Sequence, residues 1–525
     1  MSDEVAMDVS ELSTLPLLQK PRPGRQRGTF TMTPAPQSPN TPSRAGSPAP
    51  RPAPEHRQTR AIHEELPVRV SRTVAGSIDW ALVDSLREAV SDELSQRTFT
   101  DVDRESVGRE VIAEVLVRES RAATTSGRAT WTIQHQGRLA DVLFDAVFRL
   151  GRLQPYLDDD SLENIIISGF DNVLLERADG SLIRGEPVAN SDEDLIAYLQ
   201  FVASHQTRPR QFSETDSKLH LSLPGRARLF ASAWVTSRPT VIIRRNRLAT
   251  AGLGDLVSLG SMSPTAASFL SAAVRGRKSV VVSGDQGTGK TTMLRALAHE
   301  LPSHVQIGTI ETEFELFLKD TGDHQVVHEW QAKPGSGEVG PTGRRAGEYT
   351  VRDALEDSLR ANLAYTIVGE VRGDEVVTMF KCMQSGSGSM STTHARTAEG
   401  AIRKLVTCAT QAGANITREY ALNVISEDVD IIVQLQVESI QQPDGGWTKR
   451  RWVSEIVAVE PGEYAKGYAV TTIFTTPPGT RRAVPNQLPT SLQDLTRHGF
   501  DLDAFNAERG TLTCSRRIRN LRSRS

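Results

Sequence analysis

Residues 280–297 read VVVSGDQGTGKTTMLRAL. Three consecutive valines, Val280–Val282, make a strand, a glycine-rich turn follows, and the helical spacing of Met293, Leu294 and Leu297 begins a helix. Within it, Gly284 to Thr291, GDQGTGKT, satisfies G-x-x-x-x-G-K-[ST] in full. Glycines at those places let backbone N–H groups converge on phosphate oxygens, and the helix N-terminus adds a favourable field. The phosphate-contacting set is Gly284, Asp285, Gln286, Gly287, Thr288, Gly289, Lys290, Thr291 and Thr292. Lys290 is expected to reach the β- and γ-phosphates of ATP, and Thr291 to ligate Mg2+. Such a loop specifies nucleotide binding but not the reaction that follows.

Working outward, three further segments carry chemistry. IGTIETEFEL, Ile307–Leu316, is an apolar strand that ends in Glu311, Glu313 and Glu315. Acids just past a buried strand lie on the edge where open α/β sheets bind ligands, so a carboxylate there would position water or hold the metal. YTIVGEVRG, Tyr365–Gly373, is a second strand, ending in Glu370 with Arg372 close behind. Glu370 is the candidate to bind Mg2+ or polarise an attacking water. Then Gly386–Leu405, GSGSMSTTHARTAEGAIRKL, delivers His394 to a strand edge before an amphipathic helix. Continuous apolar strands alternating with helices predict a parallel sheet covered on both faces.

A chain of 525 residues exceeds one typical core, and at about 150 residues per domain it suggests three units. Residues 1–75, rich in Pro, Ser and Arg, cannot bury enough apolar surface to offset ordering and are expected to be a disordered tail. A helical lead-in over 76–157, an α+β domain over 158–245, a linker over 246–263 and an α/β domain over 264–460 follow, then an extension over 461–525 with a basic end. The polar, glycine-rich stretch from His324 to Glu348 reads as a long flexible loop. Net charge is −3 and aromatic residues are 5%, which argues against a nucleic-acid partner. Cys382, Cys408 and Cys514 have no paired spacing, so reduced thiols in a cytoplasmic protein are expected. No apolar run approaches the roughly 18 residues that span a bilayer.

The ordered set GDQGTGKTT, TIETEFEL, LRANLAYTIVGEVRG and GSMSTTHA resembles the secretion-superfamily ATPases, with their Walker A loop, Asp box, Walker B and His box. GRLQPYLDDDSLENIIISG, PGRARLFAS and RPTVIIRR bring the likeness nearest the CpaF-like branch, the motors of Flp/Tad pilus assembly. That resemblance covers roughly residues 139–460. It implies a RecA-like P-loop domain behind a smaller, PAS-like α+β domain, ATP hydrolysis with Mg2+, a homohexamer and an integral membrane platform protein as partner. It also implies a cytoplasmic protein lying at the inner face of the cell membrane. By the same likeness Lys290 and Thr291 hold phosphate and metal, Glu315 is the Asp-box glutamate, Glu370 the Walker B glutamate and His394 the His-box histidine. Arg228 and Arg244 would neutralise phosphate charge as the domains close. The sequence departs from the pattern at Thr312, where the family has Asp. It departs again at Asn362, Leu363, Ala364 and Tyr365 and at the absent first histidine of the His box. A regulatory nucleotide-binding subunit with weak hydrolysis, or a nucleic-acid-directed motor of related fold, are the alternatives.

Overall fold

The computed structural model describes residues 78–509 apart from 98–102, 205–209, 247, 249, 342, 414, 444–445 and 464–465. The expected tail, 1–75, and the basic end from Cys514 lie outside the described residues.

Helices α1 (Trp80–Ser95), α2 (Arg104–Thr125) and α3 (Ile133–Phe148) form the first unit. Val83, Leu86, Val90 and Leu94 recur at three- and four-residue spacing along α1 and meet Val111, Ile112 and Val115 of α2 and Leu139 and Leu143 of α3. Asp79 starts α1 by accepting from the N–H groups of Ala81 and Leu82.

After α4 (Gln154–Asp158) comes an antiparallel sheet of β1 (Leu162–Ser168), β2 (Val173–Arg177), β3 (Leu182–Arg184), β4 (Lys218–Leu223), β5 (Ala227–Ser232) and β6 (Thr240–Arg244). Their order is β3-β2-β1-β6-β5-β4. Helix α5 (Asp192–Ser204) packs on one face through Leu195 and Leu199. The period-two alternation is plain in β6, where Val241 and Ile243 are buried and Ile242 and Arg244 turn outward. Arg244 of β6 is directly opposed to Arg228 of β5 across the ladder. Like charges so placed repel unless something anionic faces them.

The segment 246–263 is a packed connection, not a bare linker. It contains α6 (Leu253–Ser258), and Leu253, Leu256 and Met262 enter the core of the third unit. That unit contains α7 (Pro264–Arg275), β7 (Val280–Gly284), α8 (Lys290–Ala298), β8 (Ile307–Glu311) and β9 (Val327–Gln331). A small hairpin of β10 (Ser336–Val339) and β11 (Arg345–Ala346) follows, then α9 (Val351–Ser358), β12 (Tyr365–Val371), α10 (Glu375–Gln384) and β13 (Gly388–Thr393). The rest is α11 (Ala398–Ala412), α12 (Arg418–Asp428), β14 (Ile431–Gln441), β15 (Trp447–Pro461), β16 (Tyr468–Thr475) and β17 (Val484–Pro485). The nine-stranded order is β17-β16-β15-β14-β7-β13-β12-β8-β9. From β14 to β9 the pairings are parallel, and from β14 to β17 antiparallel. The expected mixed α/β architecture with a parallel sheet is therefore present. Val280 and Val282 face the core with α7 and α8, Val281 the core with α10 to α12, as a strand covered on both faces requires.

Two stretches differ from the sequence reading. The supposed loop 324–348 contributes β9 and the β10–β11 hairpin. Strand β9 is the sheet edge and only half-buried along its length, so it lacks the apolar run that marks an interior strand. Beyond residue 460, Phe474, Phe500 and Phe505 form edge-on ring contacts and sit in the same core as Phe269. Replacing fully buried Phe505 with Ala is expected to cost about 3–5 kcal/mol of stability in a urea melt. An unchanged midpoint would show that the terminal segment is not part of the core.

Candidate active site

The phosphate loop joins β7 to α8. Gly287 and Gly289 have φ of 76° and 92°, a region that side chains avoid. A Cβ on Gly284 would lie 2.5 Å from Thr288 Oγ1 and 2.9 Å from the Leu435 carbonyl. Asp285 and Gln286 are exposed on the loop, and Gly287, Thr288, Gly289, Thr291 and Thr292 line a cavity between the second and third units.

Lys290 is buried, and its ammonium is fully engaged inside the loop. Nζ donates to the carbonyls of Gly284 and Asp285, both at 3.1 Å, and lies 3.2 Å from His394 Nδ1. Lysine has only protons to offer, so Nδ1 accepts. The proton of a neutral imidazole is then on Nε2, which faces Glu370 Oε1 at 2.6 Å. Arg372 Nη2 takes the other oxygen of Glu370 at 2.6 Å. Lys290, Glu370 and His394 come from the edges of α8, β12 and β13, brought side by side by the parallel register of the sheet. Burial pushes the Glu370 carboxyl up, but His394 and Arg372 outweigh it and hold the group at about 2. Burial pushes the Lys290 ammonium down to about 8, with Glu370 opposing the shift.

The acidic segment divides its labour. Glu311 is buried and its Oε2 accepts from the N–H groups of Glu315 at 2.8 Å and Leu316 at 3.0 Å. Burial pushes its carboxyl up to about 8. It anchors the turn that presents Glu313 and Glu315. Glu315 accepts from Thr291 Oγ1 at 2.8 Å through one oxygen, and Arg228 Nη1 pairs with the other. Arg228 Nη2 pairs with Glu313, whose second oxygen lies 3.0 Å from His220 Nδ1. Burial, Arg244 and Arg372 push the Arg228 guanidinium down to about 10.

Arg228 and Arg244 thus reach the same cavity as the loop, from the other unit. The cavity has a volume of about 590 Å³, and its charged lining is mostly basic, with Lys290, Arg295, Lys449 and Arg451 beside the two arginines. A space of that size and sign suits a nucleoside polyphosphate. Among the described residues no group of three or more His, Cys, Asp or Glu would hold a metal alone. A magnesium ion here would draw on the Thr291 hydroxyl, the nearby carboxylates, phosphate and water, all hard oxygen donors.

Two further arginines, Arg451 and Arg295, stand at the site without a motif to mark them. Arg451 Nε donates to the Gly287 carbonyl at 2.8 Å and Nη2 to Glu163 at 2.8 Å. Arg295, almost wholly buried in α8, donates to Asn246 Oδ1 at 2.6 Å and the Leu248 carbonyl at 3.0 Å. The only hint of Arg451 is the basic run KRR at 449–451. Arg295 has the sequence surroundings of any helical arginine.

The fold and site define a P-loop nucleotide-binding α/β protein whose phosphate loop is faced by a second, antiparallel unit. Residues 172–444, just over half of the chain, match the family described as Type II/IV secretion system protein. The chain belongs to that family. It is 36% identical over 152 residues to an uncharacterised protein of Methanocaldococcus jannaschii, a match that covers 29% of this chain and 52% of that one. It is 26% identical over 310 residues to the probable conjugal transfer protein TrbB of Sinorhizobium fredii, covering 58% of this chain and 85% of the relative. The chain thus spans about half the length of the archaeal relative and most of the rhizobial one. Among solved structures, the Yersinia pseudotuberculosis ATPase DotB aligns over 60% of this chain and 79% of its own, with 15% identity and a TM-score of 0.41. Among the described residues no helix is long and apolar enough to cross a membrane.

The depressed Lys290 ammonium gives a pH dependence. Its ordinary value is 10.5 and burial brings it to about 8, whereas phosphate oxygens would favour the charged form. The complex then binds more protons than the free protein above pH 8, so affinity falls as pH rises. Calorimetry of ADP binding in buffers of different ionisation enthalpy should show proton uptake at about pH 9 and a weaker Kd than at about pH 7. A pH-independent Kd without proton uptake would contradict this placement of the ammonium.

Proposed function

We propose that this chain is an ATP-hydrolysing motor of Flp/Tad-type pilus assembly or protein secretion. In this reading it works as a homohexamer, in the cytoplasm at the inner face of the cell membrane, docked on an integral membrane platform protein. The observation that carries the reading is the convergence of Lys290, His394 and Glu370 at one sheet edge, opposite Arg228 and Arg244 of another unit. Membership of the type II/IV secretion family and the similarity to a conjugal transfer protein support the setting.

In this reading Lys290 and the amides of residues 284–292 cradle the phosphates. Thr291 and Glu370 would hold Mg2+, which would supply neutralising charge at the phosphates. Glu370 stays ionised at neutral pH and orients the attacking water, while His394, its Nε2 proton beside Glu370 and its Nδ1 beside Lys290, stands next to the terminal phosphate. Glu315 accepts from the Thr291 hydroxyl and so orients that candidate metal ligand. Arg228 and Arg244 reach across from the α+β unit, a PAS-like domain in this reading, and stabilise charge as the units close. Positioning and electrostatics supply most of phosphoryl-transfer catalysis, and closure followed by opening supplies movement. The regulatory reading has one observation in its favour: Thr312, exposed, stands where the family's Asp box has an acid.

The test is ATP hydrolysis with Mg2+ by the purified protein, with particle mass measured on the same samples. The parent should turn over as a hexamer. Lys290→Ala and Glu370→Gln should each lose at least about a hundredfold in kcat, the scale of a lost general base or phosphate clamp. ATP binding with no turnover above the variants would favour the regulatory subunit.

A further inference from the structure

Arg451 lies on β15, one strand beyond β14, whose Leu435 pairs with Gly284 at the start of the phosphate loop. Its side chain crosses the crest of that loop. Cδ is 3.9 Å from where a Cβ on Gly289 would stand. Nε donates to the Gly287 carbonyl at 2.8 Å, and Nη2 donates to both oxygens of Glu163, at 2.8 and 3.1 Å. Glu163 belongs to β1 of the opposite unit, next to Asn164, which pairs with Arg244.

In a trans peptide the carbonyl and the following N–H point opposite ways, and none of the described peptide bonds is cis. Drawing the Gly287 carbonyl outward therefore turns the Thr288 N–H toward the inside of the loop. There it lies 3.4 Å from the Asp285 carbonyl, a long contact that leaves the N–H open to a stronger acceptor. Inward-facing amides are what binds phosphate at such a loop. Glycine at 287 lets that peptide rotate freely, so the sequence of the loop leaves loose what Arg451 fixes.

We propose that Arg451 is a positioning residue for the nucleotide: it locks the Gly287–Thr288 peptide in its phosphate-binding orientation, and Glu163 ties that lock to the seating of the α+β unit. The inference rests on the nucleotide-binding reading of the site. Arg451 stands in the cavity wall, and in this proposal its effect runs through the Gly287 carbonyl to Thr288. The unit that supplies Arg228 and Arg244 therefore also governs how well the loop is formed before any ligand enters.

The experiment measures ADP binding and melting temperature on the full chain and three variants. Arg451→Met keeps the aliphatic stem and removes the donors; it should raise the ADP Kd about tenfold, the scale of a lost charge-assisted hydrogen bond. With ATP as substrate KM should rise by a similar factor while kcat changes less. Glu163→Gln, which keeps the shape and drops the charge, should raise the ADP Kd by a smaller factor, about two- to threefold. Arg451→Lys should fall between the parent and Arg451→Met, and it replaces the Met variant if that one fails to fold. A role confined to pairing the two units would lower the melting temperature of Arg451→Met and Glu163→Gln alike and leave both ADP Kd values at the parent level; that result overturns the proposal. A parent that binds no ADP sinks the nucleotide reading and this inference with it. A parent that binds ADP beside an Arg451→Met variant that binds equally well sinks the inference alone.

Discussion

Arg228 holds one carboxylate with each arm of its guanidinium, Glu315 on Nη1 and Glu313 on Nη2. The arginine belongs to the antiparallel sheet and the acids to the parallel one, so this contact joins the two units at the nucleotide loop. The other oxygen of Glu315 takes the hydroxyl of Thr291. One side chain thus links the loop's candidate metal ligand to the neighbouring unit. Half-buried ion pairs of this kind are costly to leave unmatched and gain little over a well-matched alternative. Phosphate oxygens of higher charge density are such an alternative. The direct opposition of Arg228 and Arg244 across β5 and β6 biases the exchange, because two guanidinium groups close together favour an arriving anion.

The parallel sheet gives that exchange its setting. β7, β8, β12 and β13 all point the same way, and their carboxyl ends deliver the loop, the acidic turn, Glu370 and His394 to one edge. Glu311 is the least obvious member. Buried and bonded to the amides of Glu315 and Leu316, it shapes the turn so that Glu313 and Glu315 face Arg228. The contacts Lys290–His394–Glu370 then line up three side chains from that one edge.

What was legible in the sequence was local. Gly284 to Thr292 announces itself because its spacing is its mechanism; Glu370 stands out as the end of an apolar strand and His394 as the end of a glycine- and serine-rich one. The alternation of such strands with helices gave the parallel sheet. What was not legible depends on long-range pairing. Arg451 and Glu163 are 288 positions apart, and nothing in either neighbourhood signals the other. Strand β9 was hidden because an edge strand has only one neighbour and needs no apolar run. The structural role of Glu311 was not legible because its partners, the amides of Glu315 and Leu316, belong to the turn that follows. Phe500 and Phe505 read as part of a peripheral extension because isolated aromatics carry no period.

An incoming nucleotide is expected to take Arg228 from the acidic turn. A structure determined with Mg2+ and a non-hydrolysable ATP analogue tests it directly. Arg228 should then lie on the terminal phosphate, no longer paired with Glu315, and the Thr291 hydroxyl should have moved from Glu315 to the metal. A bound analogue with Arg228 still clamped between Glu313 and Glu315, and no contact from the antiparallel unit to phosphate, would contradict it.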